Sequence, residues 1–295
     1  MRAATFGRVA LAAALVAPSV ALPQASRSGL PAVSPDGRRI AFVGTRAGHD
    51  RLHVIDADGS NEHELAANTD GRMPRWSAAG ELLFSGTGAD TGRVFAVSVD
   101  GATPRVAASV PGRSPSLSPD GTQVLYLVGP WTSTALAIAD ADGSHARTIA
   151  GGRTTAWNGT WSPDGARVAY AYGDSTRVLQ VHVINSDGTG DRAVTHTTAE
   201  EGSAQMPAWS PDARRLAVQV NSPRTHSSEI WIVDLASGEI EKLTRHGAAY
   251  LDETPSWFPD GTRLAFQSSR TGTMEVWVMS ADGSNPRQTT GGSGR

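Results

Sequence analysis

The chain has 295 residues, enough for one large domain or two small ones, and its hydrophobic share of 39% supports a packed core. Its 32 glycines and 17 prolines favour many short strands joined by turns over long helices. A net charge of −3 argues against a nucleic-acid surface, and the lack of cysteine excludes disulfides and a lipid-attachment cysteine, so stability must rest on packing.

Residues 1–21 read as a secretory signal peptide. Arg2 and Arg8 supply the positive start, and the apolar run Val9 to Leu22 is too short to span a bilayer. Ser19-Val20-Ala21 fits a small-x-small cleavage site, with cleavage after Ala25 as the alternative. Cleavage after residue 21 removes both arginines and takes the net charge from −3 to −5. No later stretch is long and apolar enough for a membrane helix. The mature chain, 22–295, is therefore expected in the periplasm or secreted.

From residue 29 onward one phrase recurs. VSPDGRRIAFV starts at Val33 and is followed by LHVID and the turn DADGS. A worn copy, WSAAGELLFSG, starts at Trp76 and leads to VFAVS. LSPDGTQVLYLV starts at Leu117 and leads to LAIAD; TWSPDGARVAYAY occupies 160–172 and leads to VHVIN. WSPDARRLAVQV from Trp209 leads to IWIVD, and WFPDGTRLAFQS from Trp257 leads to VWVMS and the closing RQTT. The phrases begin at Ser34, Ser77, Ser118, Ser162, Ser210 and Phe258, spaced by 43, 41, 44, 48 and 48 residues.

Each unit predicts four strands, A before SPDG, B after it, C in the middle and D at the close. Four antiparallel strands at this period are the mark of a propeller blade. In strand B large residues such as Ile40 and Phe42 take one face, and smaller ones such as Ala41 take the other. Both faces are apolar, so both must be covered. Six blades stacked in a ring achieve that and leave no long edge free. The expected fold is an all-β, six-bladed β-propeller of four-stranded antiparallel blades, filling 22–295 as one domain. Whether the ring closes by an added outer strand or by simple abutment of the end blades stays open.

The WSPDG, IAF, IWIVD, DGSN and LT series resembles the TolB-type propeller repeat, also called WD40-like or PD40. SRTGTMEVWVMSADGSNPRQTT (269–290) is close to that family's consensus. The resemblance implies an envelope scaffold that binds proteins. It also extends to the propellers of prolyl-oligopeptidase-like peptidases. The chain departs from TolB itself, because the first blade begins near Gly29 and leaves no room for TolB's separate α/β domain after the signal peptide. It has no room for a hydrolase domain either.

Strand polarity puts the short A–B and C–D turns on one face and the longer B–C loops and D–A connections on the other. Binding usually sits on variable loops held by a rigid scaffold. There Arg72, Arg75 and Arg113 are expected as a basic sector, opposite an acidic sector of Glu200, Glu201, Asp252 and Glu253. Trp76, Trp161, Trp209 and Trp257 hold a fixed place in their blades, which favours core packing over sugar stacking. Trp131 and Trp157 stand outside that register and are candidates for an exposed aromatic contact.

The Asp56/Asp58 and Asp140/Asp142 turns suggest calcium loops, but a Glu is absent at the twelfth position, where Ala67 and Gly151 stand. Hairpin turns explain them better. His53 and His182 align with Phe95, Trp231 and Trp277 and read as packing residues. His196, His226 and His246 lie beside carboxylates on the long-loop face. His196 and His246 are the metal candidates, although no cofactor is expected and a channel ion such as calcium is the alternative. No Gly-x-Ser-x-Gly exists, and His63-Glu64-Leu65-Ala66-Ala67 fails as a zinc-protease motif. The reading is an exported, monomeric, non-catalytic propeller that binds a protein or peptide of the cell envelope at the long-loop mouth. Its rivals are a metal-dependent lyase or hydrolase at that mouth and a structural or adhesive surface protein.

Overall fold

The computed structural model describes residues 27–46, 49–65, 72–86, 91–100, 103–151, 155–173, 178–244 and 250–291. The expected signal peptide and His246 lie outside them. The described residues form strands and turns and no helix. Their strands make six four-stranded sheets, each antiparallel and each in plain sequence order from inner to outer edge. Blade 1 shows the pattern with β1 (Arg27–Val33), β2 (Arg39–Arg46), β3 (His49–Asp56) and β4 (His63–Leu65). The inner strands of the other five blades are Arg72–Trp76, Arg113–Leu117, Ala156–Trp161, Ser203–Trp209 and Asp252–Trp257.

The SPDG phrase is a self-contained turn. In blade 1 the Asp36 carboxylate accepts hydrogen bonds from Ser34 Oγ (2.6 Å) and from the Arg38 N–H (3.0 Å). Ser34 Oγ in turn accepts from the Arg39 N–H (2.9 Å), and Gly37 takes φ 69°. The Ser–Asp pairing recurs at Ser118/Asp120, Ser162/Asp164 and Ser210/Asp212. Each such aspartate is held below its ordinary pKa, chiefly by the serine hydroxyl. Proline fixes φ and glycine accepts the left-handed position, so the tetrapeptide starts a tight hairpin wherever it occurs.

Among the described residues no apolar cluster is confined to one blade. Six apolar clusters each join two adjacent blades. Leu82 and Phe84 of blade 2 pack on Ala41 and Val43 of blade 1, and Ile40 and Phe42 of blade 1 pack on Ala265 and Val276 of blade 6. Large therefore meets small at each of these interfaces, and burial of both faces drives ring formation. Indole N–H groups also tie inner strands together. Trp76, Trp161, Trp209 and Trp257 donate to the carbonyls of Ala32, Ser116, Thr160 and Ala208 of the preceding blade, at 2.9 to 3.2 Å.

The ring closes by abutment. Among the described residues no strand is exchanged between blades 6 and 1. The Ser28 N–H donates to the Met274 carbonyl (2.8 Å), the Leu30 N–H to Gln267 Oε1 (2.9 Å) and the Val33 N–H to Ser256 Oγ (3.2 Å). On the outside, the Arg287 guanidinium donates to the Ala57 carbonyl.

Candidate functional site

Every inner strand carries a bulge at the same place, between Gly29 and Ala32 in blade 1 and between Arg72 and Arg75 in blade 2, for example. The residue at the bulge is left-handed in all six blades: Leu30, Met73, Ser114, Asn158, Met206 and Thr254, with φ from 49° to 55°. Proline follows it in five of the six, and Gly159 in blade 4. A bulge re-aims side chains and locally sharpens the twist. Five of these six residues (Ser114 is the exception) line a cavity of about 310 Å³ in the channel. The prolines of the A–B turns, Pro35, Pro163, Pro211 and Pro259, also line it, so it lies toward the short-turn end.

The candidate residues fall into separate groups. Arg72, Arg113, Trp157, Asp252 and Glu253 stand at the opposite end of the inner strands. Their partners Ser85, Leu127, Ala171, Ser268 and Gln267 are the B-strand residues remote from the A–B turn. Arg75 is elsewhere. It pairs with Leu83, one step from the turn, and lines the channel cavity. The three arginines thus do not form one sector.

Trp131, Trp157 and Arg113 do come together on the long-loop side. Trp131, 56% exposed, stacks on Trp157 with ring centroids 5.2 Å apart and planes 26° from parallel. The Arg113 guanidinium sits 4.1 Å from the Trp131 ring centroid and donates to the Gly129 carbonyl (2.8 Å). The Trp131 carbonyl accepts from Thr155 Oγ1 (3.3 Å), which anchors the loop to blade 4. The Trp131–Trp157 stack bridges blades 3 and 4. The sequence signals were two tryptophans out of register, each on a loop-side position.

The acidic sector splits as well. Asp252 is fully buried and ion-paired with Arg270 at 2.7 Å. Glu253 accepts from Ser228 Oγ (2.9 Å), Gln219 Nε2 (3.2 Å) and Gln267 Nε2 (2.8 Å). Since Gln267 also receives the Leu30 N–H, this network links blades 5, 6 and 1. Glu200 is exposed to solvent, and Glu201 pairs with Lys242 at 3.2 Å. The Thr198 N–H and then the Lys242 ammonium hold the Glu201 carboxyl below its ordinary pKa. Arg72 pairs with Asp50 at 3.3 Å.

His53 is buried and stacks on Phe42 at 5.2 Å, and His182 packs against Tyr170 and Tyr172. His196 and His226 are exposed. Among the described residues no group of three His, Cys, Asp or Glu side chains could hold a metal ion. The Asp58 and Asp142 carboxylates accept from the N–H of Ser60 and Ser144, as hairpin turns require. Among the described residues no helix is long and apolar enough to cross a membrane.

A ring of six such blades around a bulged channel defines a β-propeller of the TolB type. The family model of the TolB β-propeller domain (PD40) matches residues 130–295, and the chain belongs to that family. An uncharacterized protein of Agrobacterium fabrum is 27% identical over 72% of this chain and 73% of its own length. The solved structure of TolB from Acinetobacter baumannii superposes with a TM-score of 0.68 at 19% identity, over 84% of this chain and 62% of that one. An oligogalacturonate lyase in complex with manganese has the same fold, with a TM-score of 0.59 at 17% identity over 89% of this chain and 77% of its own.

Proposed function

We propose that this chain acts after export, in the periplasm or beyond it, as a monomeric, non-catalytic scaffold that binds an extended protein or peptide segment of the cell envelope at the long-loop mouth. The observation that carries this reading is the Arg113–Trp131–Trp157 stack. A large aromatic more than half exposed, held flat by a second indole and a guanidinium, is a pre-ordered contact. Such aromatic and arginine groups dominate binding energy at protein interfaces. Glu200, exposed to solvent, supplies negative charge on the same face, where it would meet a basic part of the partner. Similarity to TolB of A. baumannii is in keeping with an envelope role.

The test compares envelope proteins retained by the wild-type chain, without residues 1–21, with those retained by Trp131→Ala. A partner held by the wild type and lost by the variant, at unchanged circular dichroism, is the expected result. Equal retention of every partner by both chains would overturn the assignment of this face.

A further inference from the structure

The channel breaks its own repeat at one place. The residue just before the position that Trp76 holds in its blade is Ala32, Ser116, Thr160, Ala208 or Ser256 in the other blades, each paired with the corresponding B-strand residue. In blade 2 it is Arg75, paired with Leu83. The next blade breaks the pattern too. Leu117 stands where four blades carry tryptophan, and a second lobe of about 310 Å³ lies against Leu117 and Arg75. Arg75 is the one charged side chain among the described residues lining either lobe.

Among the described residues no carboxylate matches its charge. The Arg75 guanidinium donates to the neighbouring Pro74 carbonyl (3.2 Å) and has no carboxylate partner among the described residues. Burial pushes its pKa down, although a guanidinium remains charged at neutral pH. Arg75 is only partly exposed, and an arginine partly withdrawn from water gains when an anion arrives. A second group in the cavity is also unsatisfied. Thr254, 9% exposed, has a buried hydroxyl with no hydrogen-bond partner. The remaining wall is uncharged and mixed: Leu30, Met73, Met206 and the turn prolines stand beside Ser34, Asn158, Thr160 and Ser256.

We infer that the short-turn end of the channel is a binding site for a small organic monocarboxylate with an apolar body, its carboxylate on Arg75 and its body against Met73, Met206 and Leu30. The guanidinium fork fits a carboxylate bidentately, and a single uncompensated positive charge among neutral walls suits a monoanion. Asn158 offers a neutral polar contact, and the volume lies at the small end of ligand pockets. The same chemistry could arrive as a free acid or as the carboxyl terminus of a peptide.

The probes are hexanoate and its neutral isostere hexanamide, titrated calorimetrically at constant ionic strength. Hexanoate should bind the wild type at least about tenfold tighter than hexanamide, and Arg75→Met should erase that difference. A Met206→Trp variant, which fills the cavity and keeps the arginine, should lose both ligands. A short apolar peptide with a free carboxyl terminus, compared with its amide, separates the two sources. A peptide acid that outbinds hexanoate assigns the site to chain ends, and the reverse assigns it to free acids. Equal binding of hexanoate and hexanamide, no binding of either, or hexanoate binding unchanged in Arg75→Met would overturn the inference. Trp131→Ala should leave hexanoate binding unchanged, so this site and the long-loop face succeed or fail separately.

Discussion

Replacing Trp209 by Phe should test how adjacent blades are held where they line the channel. Trp209 is 7% exposed, and its indole N–H donates to the Thr160 carbonyl of blade 4 at 3.2 Å. Thr160 itself lines the cavity. The change deletes one neutral hydrogen bond, about 1 kcal/mol. It leaves a void of roughly 30 Å³ at the outer edge of the indole site, about 0.7 kcal/mol. It also weakens the contact with the Arg167 guanidinium, 4.8 Å from the ring, by about 0.5 kcal/mol. The sum is about 2 kcal/mol, or roughly 4–8 °C in Tm for a domain of this size. Urea unfolding followed by far-ultraviolet circular dichroism measures it without relying on tryptophan emission. Because Val33 and Leu117 already replace the indole in blades 1 and 3, the variant should still fold in one cooperative step. A loss below about 0.5 kcal/mol would refute the claim that these bonds tie the inner strands.

Three further outcomes are expected. Gly165→Ala should cost about 1 kcal/mol, because φ is 69° there while the added methyl would meet only Pro119 at an ordinary 3.7 Å; thermal melting checks it. Ala78→Pro with Ala79→Asp should restore the SPDG phrase in blade 2 and stabilise by about 1 kcal/mol in a urea titration, since Ser77 and Gly80 already make the turn's backbone bonds. Acid should destabilise the ring. Asp36, Asp120, Asp164 and Asp212 have folded pKa values below the ordinary 3.8, so their contribution is fully present above that value and is lost as pH falls through the lower folded values. A urea midpoint that stays flat from about pH 5 down to about pH 2 would contradict this.

The blades were legible because their determinants are local and repeated. A proline, an aspartate and a glycine set each hairpin, and alternating large and small residues set the stacking. Ring closure was not legible, since it rests on Gln267, Ser256 and Arg287 reaching backbone groups more than two hundred residues away. The division of the candidate residues was hidden for a different reason. Arg72 and Arg75 are three apart, and a regular strand already sends them to opposite faces. The bulge at Met73 adds a left-handed turn between them, leaving one at the loop mouth and the other in the channel. The acidic residues look alike as letters, yet Asp252 answers Arg270 and Glu253 answers two glutamines of neighbouring strands, which no local pattern specifies. What the repeat does reveal is its own exceptions. A packing position filled by Ala, Ser or Thr in five blades and by Arg in the sixth is not explained by packing. The same holds for the paired tryptophans that lie out of register on the opposite face. In a fold built by repetition, residues that break the repeat without serving the core are where a function would be written.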